Sequence, residues 1–336
     1  MSLKRRTYGG EDDGSSPLFV FDDPNVEDGP GSLSLGGDSL GVSQAPAVLS
    51  ALSPLDTSVG ELSNWRAILS YVGTKYHGFA AQEGLATVAG ELTSVLSRVY
   101  QAPIVLTCSG RTDAGVHAVA QVVTFRAPVP QRRSSILRSV NQLISNSIRV
   151  RTIEQCSTTF DARHDAKYRG YVYRLASEEL PSALTVGRAW TPPGPLNVGT
   201  MRNSAYALIG EHDFVAWCKS SRGAERPTRR HVYDVSFRPS EMGLDIAIWA
   251  NSFCQQMVRS IVGSLVEVGR GRRSGSYVRD LIVSQDRRAI GLIAPPEGLY
   301  LYEVGFRDFD GSSVRRWESN GFDPLRGGMG LWTFPV

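Results

Sequence analysis

The chain has 336 residues, of which 41% are hydrophobic and 21% charged, a composition ordinary for a folded globular protein of one large or two smaller domains. It has no continuous apolar stretch of about 18 residues, which argues against a membrane-spanning protein. Its basic start, MSLKRR, is followed by acidic residues, which excludes a typical secretory signal or transit peptide. We therefore expect an intracellular, soluble protein with no membrane partner; cytoplasm, nucleus and mitochondrion remain open.

The four cysteines stand far apart in the sequence, at positions 108, 156, 218 and 254. No C-x-x-C pair suggests a zinc site or a redox motif. We expect all four to be reduced and most of them to be buried.

Charge is distributed unevenly along the chain. Residues 1–63 contain three basic and ten acidic residues, and since the formal net charge of the chain is +3, residues 64–336 carry +10. The same first 63 residues contain 25 Gly, Pro or Ser and no sustained helical or strand period. So little clustered apolar sequence cannot offset the entropy of ordering the chain, so we predict a disordered acidic tail over 1–63.

Hydrophobic periodicity predicts the elements of a first half, over residues 64–160. They are a strand at 66–72, a helix at 87–100, strands at about 103–108 and 119–126, a helix at 134–145 and a strand at 147–154. This βαββαβ order is the signature of a ferredoxin-like unit, in which helices cover one face of an antiparallel sheet.

The order recurs over residues 161–310, and 311–336 is predicted to be a C-terminal tail. The second set comprises strands at 171–176, 231–239, 244–250 and 299–306, and helices at 201–210, 255–269 and 276–285. We therefore predict an α+β protein with two ferredoxin-like halves. Their antiparallel sheets would join edge to edge, with helices on one face and an active-site cleft between the halves.

Arginine dominates the basic residues, since only four of the 36 are Lys. Clusters occur at 220–231 and 269–273, and we expect Arg226, Arg230 and Arg270 to bind substrate. Arginine grips phosphate with two parallel hydrogen bonds and stacks on bases, so the pattern favours a nucleic-acid partner. A bias in genome composition would produce the same excess.

Two charged residues resist a purely structural interpretation. Arg259 lies among apolar residues of the predicted helix at 255–269, and a buried arginine needs an anionic partner. Asp113 is a candidate, because it lies in a turn between two strands with Gly110 and Gly115. A structural ion pair for Arg259 and a turn-capping role for Asp113 remain alternatives.

Six segments, in order, resemble motifs of the TruA family of pseudouridine synthases. They are SYVGTKYHGF, GRTDAGVHA, FDARHDAKYRGYVYRLA, GEHDFVAW, NSFCQQMVRSIVGSLVEVG and EGLYLYEVGF, and all six lie within residues 66–306. The resemblance implies isomerisation of uridine in RNA to pseudouridine, with no cofactor and no metal. It also implies a homodimer, with tRNA as the expected partner.

The resemblance assigns roles to the candidate residues. Asp113 would be the catalytic nucleophile, and Arg259 would pair with it and favour its charged form. Arg111 would fill the gap that the extruded nucleotide leaves in the RNA. Tyr171 would stack on the base and is a candidate acceptor for the C5 proton, unless it is a core aromatic residue beside Tyr173.

The motifs contain two further residues of interest, Leu299 and His117. Leu299 would pack beneath the target base. His117, although it lies in the central motif, has no neighbours at metal-ligand spacing, and we expect it to pack or to stabilise the loop.

Departures from the family pattern affect the substrate more than the chemistry. FAAQ follows Gly78 where an aromatic residue and Gln-x-Gln are usual, Cys254-Gln255-Gln256 replaces basic or imidazole residues, and Arg226-Pro227-Thr228 is shuffled. The pair Ala80-Ala81 in FAAQ resembles the divergent eukaryotic branch of the family, known as tRNA pseudouridine synthase-like. The alternatives are therefore the same chemistry on mRNA or organellar rRNA, or a catalytically silent RNA-binding or assembly factor.

Overall fold

The computed structural model describes residues 62–130, 133–176, 186–219 and 227–320. The strands in these residues are β1 (Leu62–Tyr71), β2 (Thr107–Cys108), β3 (His117–Pro128), β4 (Ile148–Gln155), β5 (Tyr168–Ala176), β6 (Gly210–Asp213), β7 (Arg229–Ser240), β8 (Gly243–Ala250) and β9 (Leu299–Gly305). The α-helices are α1 (Val88–Tyr100), α2 (Arg133–Leu143), α3 (Val198–Ala205), α4 (Met257–Gly269), α5 (Tyr277–Ser284) and α6 (Ser312–Asn320).

All the strands belong to one sheet, in the order β4-β1-β3-β9-β5-β8-β7-β6, with β2 paired to β3. Within each half the strands take the ferredoxin-like order, β4-β1-β3-β2 in the first and β9-β5-β8-β7 in the second. The two halves meet where β3 runs parallel to β9, and every other pairing in this sheet is antiparallel. The predicted α+β class is confirmed.

Helices α1 and α4 bury apolar side chains in the main core, on the sheet face that the helices of the two halves cover. The side chain of Thr87 caps α1 by accepting a hydrogen bond from the N–H of Gly90. Leu92 and Leu96, one turn apart, are fully buried. Helix α4 is apolar on most of its surface, and Gly263 lies so close to the Leu292 carbonyl that a side chain there would clash.

Helix α6 lies in the segment predicted to be a tail and covers the opposite face of the sheet. Trp317 and Val314 pack with Trp249 of β8 and Tyr302 of β9 in a second apolar cluster, separate from the main core. The expectation that helices occupy one face therefore holds for the two ferredoxin-like halves and not for α6. Physically, a sheet face that carries aromatic side chains has to be covered.

The expectation of reduced cysteines is wrong for one pair. Cys218 and Cys254 form a disulfide across 36 residues, whereas Cys108 and Cys156 are unpaired thiols. No sequence spacing indicated this pair, because the fold alone brings together the turn after β6 and the turn before α4.

Several expected segments fall outside the described residues. These are nearly all of the predicted acidic tail, Arg226 with most of its arginine cluster, and the end of the chain beyond Asn320. The boundary between the two halves stays a prediction. In the described part of the chain, none of the helices has both the length and the hydrophobicity needed to span a bilayer.

Candidate active site

The loop at 109–116, which we call the motif loop, connects β2 to β3. Hydrogen bonds to the main chain of its first two residues hold it to β3. The N–H of Ser109 donates to the Val122 carbonyl at 2.9 Å. The buried side chain of Gln121 binds Gly110 twice, with Nε2 2.6 Å from its carbonyl oxygen and Oε1 3.4 Å from its nitrogen. The loop therefore leaves the sheet from a fixed point.

The segment after β1 holds the other side of the motif loop. The N–H of Phe79 donates to the Thr112 carbonyl at 3.1 Å, and the hydroxyl of Tyr71 lies 2.8 Å from Thr112 Oγ1. Gly78 has φ +96°, and a Cβ there would lie 2.8 Å from the Thr112 oxygen. Only glycine allows this approach, so SYVGTKYHGF supports the residue immediately before Asp113.

Asp113 and Arg259 meet, as the sequence predicted. Arg259 Nη1 lies 3.4 Å from Asp113 Oδ2, and the two side chains are 15% and 25% exposed, respectively. The Nε of Arg259 donates to the Ala294 carbonyl at 2.8 Å, and its own carbonyl accepts from the Ala294 N–H. Helix α4 and the segment before β9 thus aim a cation at a carboxylate that remains accessible.

Tyr171 of β5 borders the same site. It is buried, its ring packs edge-on against Phe253 with centroids 5.0 Å apart, and its hydroxyl lies beside Gly110. Burial raises the pKa of the Tyr171 hydroxyl, with Arg169 acting against this shift and Asp113 adding to it. The side chain is therefore a neutral phenol at physiological pH.

Two leucines of β9 lie near this tyrosine, at different register positions. Leu301 is opposite Tyr171 and contributes a methyl group beside Gly110, whereas Leu299, the leucine that the sequence suggested, is opposite Tyr173. Both leucines are buried. The role of Leu299 beneath a bound base stays a prediction, and Leu301 is the β9 leucine that the structure places opposite Tyr171.

The remaining candidates, Arg111, Arg230 and Arg270, lie on three different elements of the fold. Arg111 is exposed on the motif loop. Arg270 follows the last residue of α4, about 16 Å along the helix from Arg259 at 1.5 Å per residue. Arg230 is partly buried in β7, next to His231, which pairs with Asn251. In the described part of the chain, the ion pair of Asp113 is with Arg259, and neither Arg230 nor Arg270 forms one with it.

His117 has the structural role expected of it. Its Nδ1 accepts from the N–H of Gly73 at 3.1 Å, so its Nε2 carries the proton and donates to the Glu297 carbonyl at 3.0 Å. The ring stacks on Tyr300, and burial lowers its pKa to about 4. Across the described ranges, no group of three or more His, Cys, Asp or Glu residues could hold a metal ion.

Comparison with known proteins identifies the family. The family described as tRNA pseudouridine synthase matches residues 204–307. The chain is 35% identical over 241 residues to tRNA pseudouridine synthase A of Brevibacillus brevis, which covers 71% of this chain and 98% of that protein. The chain belongs to the tRNA pseudouridine synthase family.

Two other relatives agree. The protein of the same name from Methylococcus capsulatus is 36% identical over 234 residues, covering 69% of this chain and 86% of that protein. The one from Pseudothermotoga lettingae is 35% identical over 246 residues, covering 73% and 100%, respectively. The resemblance that the six motifs indicated is confirmed at the level of the family, which is one of isomerases.

Sequence reasoning missed three residues that border this candidate site. Gln121 could have been found, because it is a polar residue within the apolar run AVAQVVTF of a strand. Phe253 and Leu301 carry no such signal, because an apolar residue beside a helix or in a strand is ordinary. Their places depend on the turn before α4 and on the pairing of β9 with β5.

Proposed function

We propose that this protein isomerises uridine to pseudouridine in tRNA, with Asp113 as the nucleophile and with no cofactor. The observation that carries the proposal is the contact of Asp113 with Arg259 in a site that also contains Tyr171. Family membership supports the reaction class. The contact supports the assignment of the carboxylate, because a nucleophilic carboxylate must be ionised and within reach of substrate.

The reaction exchanges one bond at the ribose for another. The bond from N1 of uracil to C1′ breaks, the base turns, and a bond from C5 to C1′ forms. The proton on C5 is lost and N1 gains one, so product and substrate are isomers. Asp113 would attack the nucleoside and leave again, and Arg259 would hold its carboxylate in position.

Tyr171 and Leu301 would form the walls against which the base rests. A neutral phenol is a poor proton acceptor, and burial raises the pKa of Tyr171. The site before substrate binds therefore favours a stacking role for this ring over removal of the C5 proton. Stacking on aromatic side chains is a common way to hold an unpaired RNA base.

Arg111 would act on the RNA and not on the reacting bonds. An enzyme cannot reach a glycosidic bond within a stacked helix, so the nucleotide must be extruded, and a side chain can fill the gap. Arg111 is exposed and lies two residues from Asp113, which suits this task. Arg226, Arg230 and Arg270 would contact phosphates at a distance, and a homodimer would share one RNA.

Tritium release from tRNA that contains [5-³H]uridine tests the proposal. The wild-type protein should release tritium without added metal or cofactor, and Asp113→Asn should release none. Glu154→Gln is the matched control, because Glu154 also pairs with an arginine, Arg66, but lies on β4. Equal release by wild type and Asp113→Asn would refute the role of Asp113.

Mapping of pseudouridines in total RNA, with and without the protein, decides among substrates. Loss of pseudouridines from tRNA in the absence of the protein supports the proposal. Loss confined to mRNA or organellar rRNA would show that this RNA, and not tRNA, is the substrate. No lost site together with RNA binding would indicate an assembly factor. The mass of the protein in solution tests the homodimer.

A further inference from the structure

Arg169, on β5 two residues before Tyr171, has an unusual environment for a charged side chain. It is 9% exposed, and all five N–H donors of its guanidinium are used. Nε and Nη2 donate to the Ser109 carbonyl at 3.2 and 2.7 Å. The other bonds reach the carbonyls of three more residues, at 3.0 to 3.1 Å: Arg163, Ala166 and Asn251.

These four carbonyls belong to three separate segments. Ser109 is the first residue of the motif loop, and Asp113 follows four residues later. Arg163 and Ala166 lie in the turn before β5, and Asn251 follows β8, two residues before Phe253. One planar group therefore ties the motif loop of the first half to the two segments of the second half that flank Tyr171.

Within the described ranges, Arg169 forms no salt bridge with a carboxylate. Among the residues that the structure describes, the dipoles of the carbonyls balance its charge. Burial of a charge without a counterion is costly, and a merely structural contact among main-chain carbonyls could be made by a neutral donor. Arg174 on the same strand shows the usual arrangement, since its Nε lies 2.9 Å from Asp245.

We propose that Arg169 is a positioning residue for the isomerisation, which locks the start of the motif loop against β5 and so keeps Asp113 in register with Tyr171. The inference rests on the proposed function, since the relative position of Asp113 and Tyr171 matters for the isomerisation only if both residues act on the same uridine. Arg169 holds the loop from the side of the second half, and Gln121 holds it from the first.

The positive charge of Arg169 also acts on the site directly. It opposes the upward shift that burial causes in the pKa of Tyr171, and it is close enough to Cys108 to oppose the same shift there. The proposal rests on the hydrogen bonds of the Arg169 guanidinium. Its electrostatic effect on Tyr171 and Cys108 follows from the position in which those bonds hold it.

Single-turnover kinetics with enzyme in excess provide the test, because the rate constant then reports geometry and the amplitude reports the folded fraction. An ammonium has three donors on one atom and cannot reach all four carbonyls. Arg169→Lys should therefore lower the rate constant by about 100-fold, the effect of a displacement of about 1 Å. The dissociation constant for tRNA should stay within about twofold.

Arg174→Lys is the matched control, a conservative change on the same strand, and it should keep the wild-type rate constant. If Arg169→Lys does not fold, Arg169→Met serves instead, because it removes the buried charge together with its desolvation cost. A rate constant within about threefold of wild type in the folded variant overturns the inference, even where the amplitude is reduced. An inactive wild-type protein would instead overturn the proposed function.

Discussion

Asp113 and Arg259 are 146 residues apart in the chain and are nevertheless in contact. Electrostatics predicted only that Arg259 needs an anionic partner and made Asp113 one candidate, because the glycines of the motif loop allow close approach. The family resemblance then selected this pair. A polar residue in an apolar context is thus the most informative signal for this site.

Apolar residues give weaker signals, as Leu299 and Leu301 illustrate. They share a face of β9, so their sequence spacing does not distinguish them. The choice depends on the pairing of β9 with β5, which shifts at an irregularity between Gly170 and Tyr171. A shift of this kind comes from the local backbone of both strands and is invisible in either strand alone.

His117 should make the stability of the protein depend on pH in a defined range. Burial lowers its pKa from 6.5 to about 4 in the folded state. Between these values the unfolded chain binds more protons, so the free energy of unfolding falls as the pH is lowered, by up to about 1.4 kcal/mol per pH unit. Above pH 6.5 the full contribution is present.

Urea unfolding at pH values from 4 to 8 measures this dependence. His117→Gln is the control, because an amide can accept from Gly73 and donate to Glu297 without titrating in this range. The difference between wild type and variant should decrease below about pH 6.5. Parallel curves for the two proteins would show that His117 does not remain neutral in the folded state.

At the scale of elements, the disulfide fixes the turn that leads into α4. Cys254 lies next to Phe253, which contacts Tyr171, and the N–H of Lys219 donates to the Gln255 carbonyl beside it. In the chain-entropy model, a disulfide that closes a loop of this size stabilises the folded protein by about 3 to 4 kcal/mol. Replacement of both Cys218 and Cys254 by Ser should lower the free energy of unfolding by about 2 to 4 kcal/mol.

Alkylation of the denatured protein checks the pairing before stability is measured. Two of the four cysteines should react without a reductant and all four after reduction. Cys156→Ser is the control for stability and should change the free energy of unfolding by much less. Reaction of four cysteines without reductant would restore the expectation drawn from the sequence.

Helix α6 should contribute to the stability of the sheet that carries Tyr171. Trp317 is 1% exposed and packs edge-on against Trp249 at 5.8 Å between centroids. Trp317→Ala should lower the free energy of unfolding by about 3 to 5 kcal/mol, since it removes a large buried side chain. Arg315→Ala, at an exposed position of the same helix, should have little effect in the same urea titration. Equal midpoints for both variants would mean that α6 does not pack on the sheet.

Strand β6 and helix α6, which the sequence did not predict, show which elements hydrophobic periodicity fails to detect. Strand β6 is the four-residue segment GEHD, which has no alternation of apolar and polar residues. Helix α6 has nine residues with apolar side chains only at Val314 and Trp317, too few for a helical period. Both elements exist because the rest of the sheet offers them an edge or an apolar face.

At the scale of the whole molecule, the site lies at the seam between the two halves. The motif loop leads into β3, Leu301 lies on β9, and these two strands pair through only two residue pairs. The repeated βαββαβ order predicted two sheets joined at their edges. It did not specify which edges, because β3 and β9 are both buried apolar strands with no feature that marks a partner.

The basic character of residues 64–336 should make RNA binding strongly dependent on salt. Each phosphate contact releases about 0.7 to 0.9 of a counterion, so the logarithm of the affinity should fall linearly with the logarithm of the salt concentration. If Arg270 contacts a phosphate, Arg270→Ala should reduce this slope by about one unit. Arg66→Ala is the control, because Glu154 already neutralises that arginine at 2.9 Å. Filter binding of tRNA at increasing potassium chloride measures the slopes, and identical slopes for Arg270→Ala and wild type would remove Arg270 from the interface.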